Sequence, residues 1–181
     1  MTVKTYWWIT AWFLITAPIL IWDAGYCFMR PRSMKGGDLH WIWGSPYAFY
    51  QEVDYLYGIP ALENNDGFTN AQAFMNVVES VLNLTYVYLA HGAQWSGAPV
   101  IAYGTAFMTL GKTTLYWLSE YYCGFCQIGH NDILTLATYW ISAMVLWTII
   151  PSLIIWVLGK DIVQSLTITS SPAKVTSKKI N

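Results

Sequence analysis

Three charged side chains sit where the sequence is otherwise apolar, and these are the ones that could do chemistry: Asp23, Glu79 and Lys112. Glu79 lies in the run MNVVESVLNLTYVYLA, with Asn76 before it and Asn83 after it. Asn76, Glu79, Asn83 and Tyr86 recur at spacings of three, four and three, which puts them on one face of a helix. Thr105, Thr109, Lys112, Tyr116 and Ser119 form a second stripe of the same kind. In a helical bundle two such stripes face inward and line a shared cavity. A charge placed centrally in a bilayer costs about 2.5 to 3.5 kcal/mol on insertion scales, so each of the three needs a partner or a task. An ion pair between Glu79 and Lys112 that fixes helix packing is one answer. The other is catalytic. A carboxylic acid in an apolar pocket can hold a proton to donate at neutral pH, and the faces of Trp and Tyr rings stabilise a cation formed by that donation. This suits proton-driven chemistry on an apolar alkene, with Glu79 as the candidate acid and Asn76, Asn83, Lys112 and Tyr116 as the polar groups that would bind the substrate.

The elements that must position these residues are membrane helices. The chain has 181 residues, 55% hydrophobic and only 10% charged, where a soluble domain carries about 25% charged residues. Four stretches have the roughly 20 apolar residues that a spanning helix needs: 6–26, 73–90, 98–118 and 133–158. Trp and Tyr crowd their ends, among them Trp7, Trp8, Trp22, Tyr26, Trp95 and Trp156, as expected at headgroup level. The first stretch is too long, and lacks the small-residue cleavage site, for a signal peptide. The sequence thus predicts an all-α fold, an integral membrane bundle of four transmembrane helices over residues 1–160, followed by a tail at 161–181. Its net charge of −1, with no basic run outside that tail, gives no nucleic-acid partner. The expected partners are the lipid bilayer and a hydrophobic polycyclic small molecule, with a homodimer left open.

With four spans both termini share a side. That side carries Lys4, Lys160, Lys174, Lys178 and Lys179 against Arg30, Arg32 and Lys35 in the first loop, which puts the termini in the cytosol. Lys178 and Lys179 stand fourth and third from the carboxyl end, the spacing of a dilysine retrieval signal, and point to the endoplasmic reticulum membrane. On the lumenal side the loop 30–72 alternates turn residues with rings such as Trp41, Trp43, Tyr47, Tyr50, Tyr55 and Tyr57, and is expected to pack over the mouth of the bundle as a lid. The sequon Asn83-Leu84-Thr85 falls inside a predicted span, out of reach of glycosylation. Cys27, Cys123 and Cys126 all fall on the lumenal side. A structural disulfide from Cys27 to one of the other two is the expectation, three free thiols the alternative, and a redox role for CGFC lacks a thioredoxin-like context.

Several segments in order resemble the emopamil-binding protein family, whose four-helix unit is the EXPERA domain. Ile21-Trp22-Asp23-Ala24-Gly25-Tyr26 resembles its first-helix acid. Val78-Glu79-Ser80, with Leu82 and Leu84, resembles its helix-two glutamate segment. Leu115-Tyr116-Trp117-Leu118-Ser119-Glu120 is similar to its LYFLTE segment, and Gly129-His130, Tyr139-Trp140, Leu146-Trp147 and Pro151 to its final helix. The resemblance covers residues 12–160. It implies a sterol isomerase-like activity of the endoplasmic reticulum that uses no metal or organic cofactor, with Glu79 and Asp23 as the carboxyl groups and Trp147 as the ring facing the cation. Where the isomerases have a histidine one turn before the first-helix acid this chain has Ile19. Where they have an asparagine three residues before the final tryptophan it has Met144, and they lack a counterpart of Lys112. These differences point to an isomerase or cyclase acting on another steroid or terpenoid, or to a non-catalytic sterol- or lipid-binding or trafficking relative.

Overall fold

The computed structural model describes residues 4–170, and these are helical and without strands. Three helical stretches, Trp7–Phe28, Phe68–Gly92 and Ile133–Thr167, are long and apolar enough to cross a membrane. The first is α1 (Trp7–Phe28). Two short helices follow in the connector, α2 (Gly44–Val53) and α3 (Ile59–Glu63). Then come α4 (Phe68–Val87), which ends in a π turn at Tyr88–Gly92, and α5 (Ala98–Tyr122). A short α6 (Ile133–Thr135) and a second π turn (Leu136–Ile141) lead into α7 (Ser142–Ser170). The helix expected from residue 73 therefore starts earlier, and the tail expected from residue 161 begins as a continuation of α7. Lys174, Lys178 and Lys179 lie outside the described residues.

Side-chain size sets the packing order. α1 buries Phe13, Ala17, Leu20 and Ala24, three or four residues apart, against the face of α4 that carries Ala73, Ser80 and Asn83. Small residues let the two backbones approach closely, as is usual between membrane helices, and Ser80 reaches across to donate to the Ala17 carbonyl at 3.1 Å. Ala98, Ala102, Thr105, Ala106 and Thr109 give α5 a similar small-residue face, and α5 packs on α4 on one side and α7 on the other. Polarity is inverted relative to a soluble bundle. Asn76, Glu79, Asn83, Thr105 and Thr109 are buried, while Ile15, Phe74, Val81, Phe107, Leu153 and Trp156 are exposed. Both polar stripes do face inward.

The connector between α1 and α4 is folded rather than loose. Gly44, at φ 56°, turns the chain from a 3-10 turn (His40–Ile42) into α2, a left-handed conformation that favours glycine. Trp43 donates its indole N–H to the Trp22 carbonyl at 2.8 Å, and Arg30 donates to the Leu56 carbonyl at 2.8 Å. Tyr26, Cys27, Met34, Trp43 and Tyr47 form an apolar cluster beneath it. The segment between α5 and α6 clamps its far edge. Tyr55 donates its N–H to the Gln127 carbonyl, Asn131 donates to Val53 at 2.8 Å, and His130 stacks on Tyr55 at 3.9 Å. Asp132 then caps α6 by accepting from Leu134 and Thr135.

The expected pairing of Cys27 is corrected. Cys123 bonds Cys126, and Cys27 is a free, buried thiol. The reason is location: Cys27 is the last full turn of α1 and packs under the connector against Met34 and Trp43, whereas the CGFC turn caps the exposed end of α5. A thiolate at a helix carboxyl end is disfavoured by the helix dipole, so this turn lacks the electrostatic setting of a reactive Cys-X-X-Cys pair.

Candidate active site

A cavity of about 400 Å³ opens among α1, the connector, α4, α5 and the start of α7. Its size falls in the range that takes a small organic ligand. Trp22, Ile19 and Leu20 of α1 form one wall; Met144, Ala143 and Trp147 of α7 form another. The connector roofs it with Pro46, Phe49 and the tyrosines Tyr47, Tyr50 and Tyr57. Trp12 and Trp147 meet edge to face at 5.2 Å between α1 and α7, and Phe49 and Tyr139 do the same at 4.7 Å nearer the connector.

One polar network crosses this cavity. Asp23 accepts three hydrogen bonds: from the Tyr47 hydroxyl at 2.7 Å on Oδ1, and from the Asn76 amide at 2.8 Å and the Tyr57 hydroxyl at 3.3 Å on Oδ2. The Asn76 carbonyl oxygen accepts from the Lys112 ammonium. Lys112 also lies 2.8 Å from Glu79 Oε2. That second contact is an ion pair without the alignment of a directed hydrogen bond, so Oε2 is compensated in charge while no donor points at it. The orientation of Asn76 follows from chemistry, because an ammonium can only donate: the carbonyl oxygen must face Lys112, and the amide nitrogen is left to donate to Asp23. Two acids thus share one cation, Glu79 directly and Asp23 through an amide.

The residues expected from sequence divide into three groups. Asp23, Asn76, Lys112, Tyr116 and Trp147 line the cavity. Glu79, 1% exposed, sits a turn further along α4, beyond Asn76 and against Lys112, and is not part of the cavity wall. Asn83 is buried between α4 and α1, where its amide donates to Thr16 at 3.3 Å, and it does not reach the cavity.

Other site residues were not singled out for polar chemistry. In sequence Tyr47 and Tyr57 are rings of a lid; in the structure their hydroxyls are the donors that hold Asp23. Asp54, at the end of α2, is fully buried and accepts from Tyr116 at 2.6 Å, from the Leu56 N–H at 2.9 Å and from the Trp140 indole at 3.2 Å. Burial pushes its carboxyl up to about 6, against the opposing pull of those hydrogen bonds. In sequence it is one acid in an aromatic loop, and no periodicity marks it. Burial likewise raises the phenols of Tyr47, Tyr50 and Tyr57 above their ordinary value, so they remain protonated donors.

Compared with models of protein families, with curated proteins and with solved structures, the chain matches none.

Proposed function

We propose that the protein is a membrane-embedded isomerase or cyclase that needs no cofactor and acts on a steroid or terpenoid alkene through a carbocation. One observation carries the reading. Asp23 faces an apolar, ring-walled cavity and is held by a network whose only cation is already paired with Glu79. Glu79 and Lys112 neutralise each other, which leaves Asp23 as the acid free to carry the transferred proton. The proton passes from Asp23 to one alkene carbon, and the positive charge forms on its neighbour. The faces of Trp147 and the connector tyrosines stabilise that charge. The Asp23 carboxylate then takes a proton from an adjacent carbon, so the double bond moves and the acid is restored. In a cyclisation a second double bond attacks the cation before that loss.

The resemblance to the emopamil-binding protein family supports this reading, and with it a four-span bundle in the endoplasmic reticulum with a cytosolic C-terminus. We assign the fourth span to α5. Its 25 residues cover about 37 Å, more than the roughly 30 Å of a hydrocarbon core. Its charged groups Lys112 and Glu120, with Thr109 and Thr113, are turned inward.

A second reading, a sterol- or lipid-binding protein without chemistry, draws on Ile19 and Met144. Both line the cavity at the places where the isomerases carry a histidine and an asparagine. Expression in a sterol-producing host grown in D2O, with steroid and terpenoid alkenes supplied, separates the two. Deuterium on a ring carbon of a shifted or cyclised product, lost in Asp23→Asn, is the expected result. An unchanged product profile with ligand still bound overturns the enzyme reading in favour of the binding one.

A further inference from the structure

The cavity wall carries four tyrosines close to its acids, and their hydroxyls are not equivalent. Tyr47 and Tyr57 donate to Asp23, at 2.7 and 3.3 Å, and Tyr116 donates to Asp54 at 2.6 Å. The hydroxyl of Tyr50 bonds to none of the described residues, although the side chain is only partly exposed and lines the cavity. Its ring is fixed edge-on against Tyr57, centroids 5.0 Å apart, and against Tyr47 at 6.4 Å. Tyr139 also lines the cavity without a hydrogen bond, but it is 48% exposed. A phenol in an apolar cavity normally finds a partner for its O–H. Two other donors of this wall, the Thr113 hydroxyl on α5 and the Trp147 indole N–H on α7, also bond to none of the described residues, but among the phenols close to the acids Tyr50 alone is unpaired.

We propose that Tyr50 is the oxygen anchor of the cavity, its hydroxyl donating to an alcohol or ketone oxygen on an otherwise hydrocarbon ligand. The proposal rests on the reading of the cavity as a site for a polycyclic molecule, and it adds where the ligand's polar atom goes. It also gives the connector a role in recognition. Tyr50 belongs to α2, so a ligand held there ties α2 to the helices that carry Asp23 and Lys112.

Three saturated probes of one shape test this: cholestanol, cholestan-3-one and cholestane, bound to full-length protein in detergent. None has an alkene to protonate, so binding is read apart from turnover. Wild type is expected to bind the alcohol and the ketone about tenfold more tightly than the hydrocarbon, the size of one neutral hydrogen bond. Tyr50→Phe should lose that preference and keep the affinity for cholestane, which shows that the cavity is intact. Tyr47→Phe, whose hydroxyl serves Asp23, should keep the preference. Equal binding of all three by wild type, or a preference that survives in Tyr50→Phe, overturns the anchor and leaves the acid chemistry of Asp23 standing. Failure of all three to bind overturns the anchor and the polycyclic-ligand reading together.

Discussion

Lys112 and Asp23 are joined through one side chain: Asn76 accepts from the ammonium through its carbonyl oxygen and donates to Asp23 Oδ2 at 2.8 Å through its amide nitrogen. Neither an aspartate nor an apolar residue can do both. Asn76→Leu, of similar bulk, should strip a partner from each neighbour at about 1 to 3 kcal/mol per stranded group. The expected readout is a lower melting temperature in detergent with membrane insertion unchanged. A variant as stable as wild type would show that the bridge is not made.

Glu79 and Lys112 should behave as a pair. Removing one partner of a buried ion pair strands a charge and costs about 3 to 5 kcal/mol, whereas an uncharged replacement of both can be nearly neutral. Lys112→Met alone should therefore destabilise strongly, and adding Glu79→Gln should recover much of the loss. Thermal denaturation of the two single variants and the double variant gives the coupling directly, and simple addition of the two losses would mean that the charges do not interact.

Asp23→Asn keeps the size and one acceptor oxygen while removing the acid. Turnover should fall at least a hundredfold, within the usual range for loss of general acid catalysis, while the protein still inserts and still binds ligand. Retained turnover would remove Asp23 from the chemistry.

Asp54 makes stability depend on pH in an unusual direction. Its carboxyl lies at about 6 in the folded protein against an ordinary 3.8, with burial as the main cause. A carboxyl raised in the folded state binds its proton more tightly there, so its contribution is complete below about pH 4 and is lost as pH rises through about 6. The gap corresponds to about 3 kcal/mol. Wild type should therefore lose more stability between pH 4 and pH 7 than Asp54→Asn does. Parallel profiles for the two proteins would refute the assignment.

The inward faces were legible because a helix repeats: the spacing that joined Asn76 to Glu79, and Thr109 to Lys112 and Tyr116, is the spacing that the bundle buries. Asn83 obeyed the same spacing and still missed the cavity, because a stripe runs the length of a helix and a cavity occupies only part of it. The connector was less legible. Its rings announced that it packs, but which tyrosine hydroxyl meets Asp23, and that Asp54 turns inward, depend on contacts between residues far apart in sequence. The π turn at Leu136–Ile141 adds backbone to one turn of helix and leaves Trp140 buried between neighbours that are exposed or half-buried. A pattern read at 3.6 residues per turn does not anticipate that shift. A shared compartment does not pair cysteines: Cys123 and Cys126 meet in one turn, while Cys27 lies beneath the connector.

With Cys123 and Cys126 bonded to each other, the chain keeps a single free thiol, Cys27, sealed beneath Met34, Trp43 and Tyr47. Alkylation of that sulfur in intact membranes can proceed only when the connector lifts, so its rate counts openings without any engineered label. A ligand that bridges the connector to the helices should slow the reaction, and one that leaves the connector free should not. Cys27 thus serves as a built-in probe of whether the connector opens.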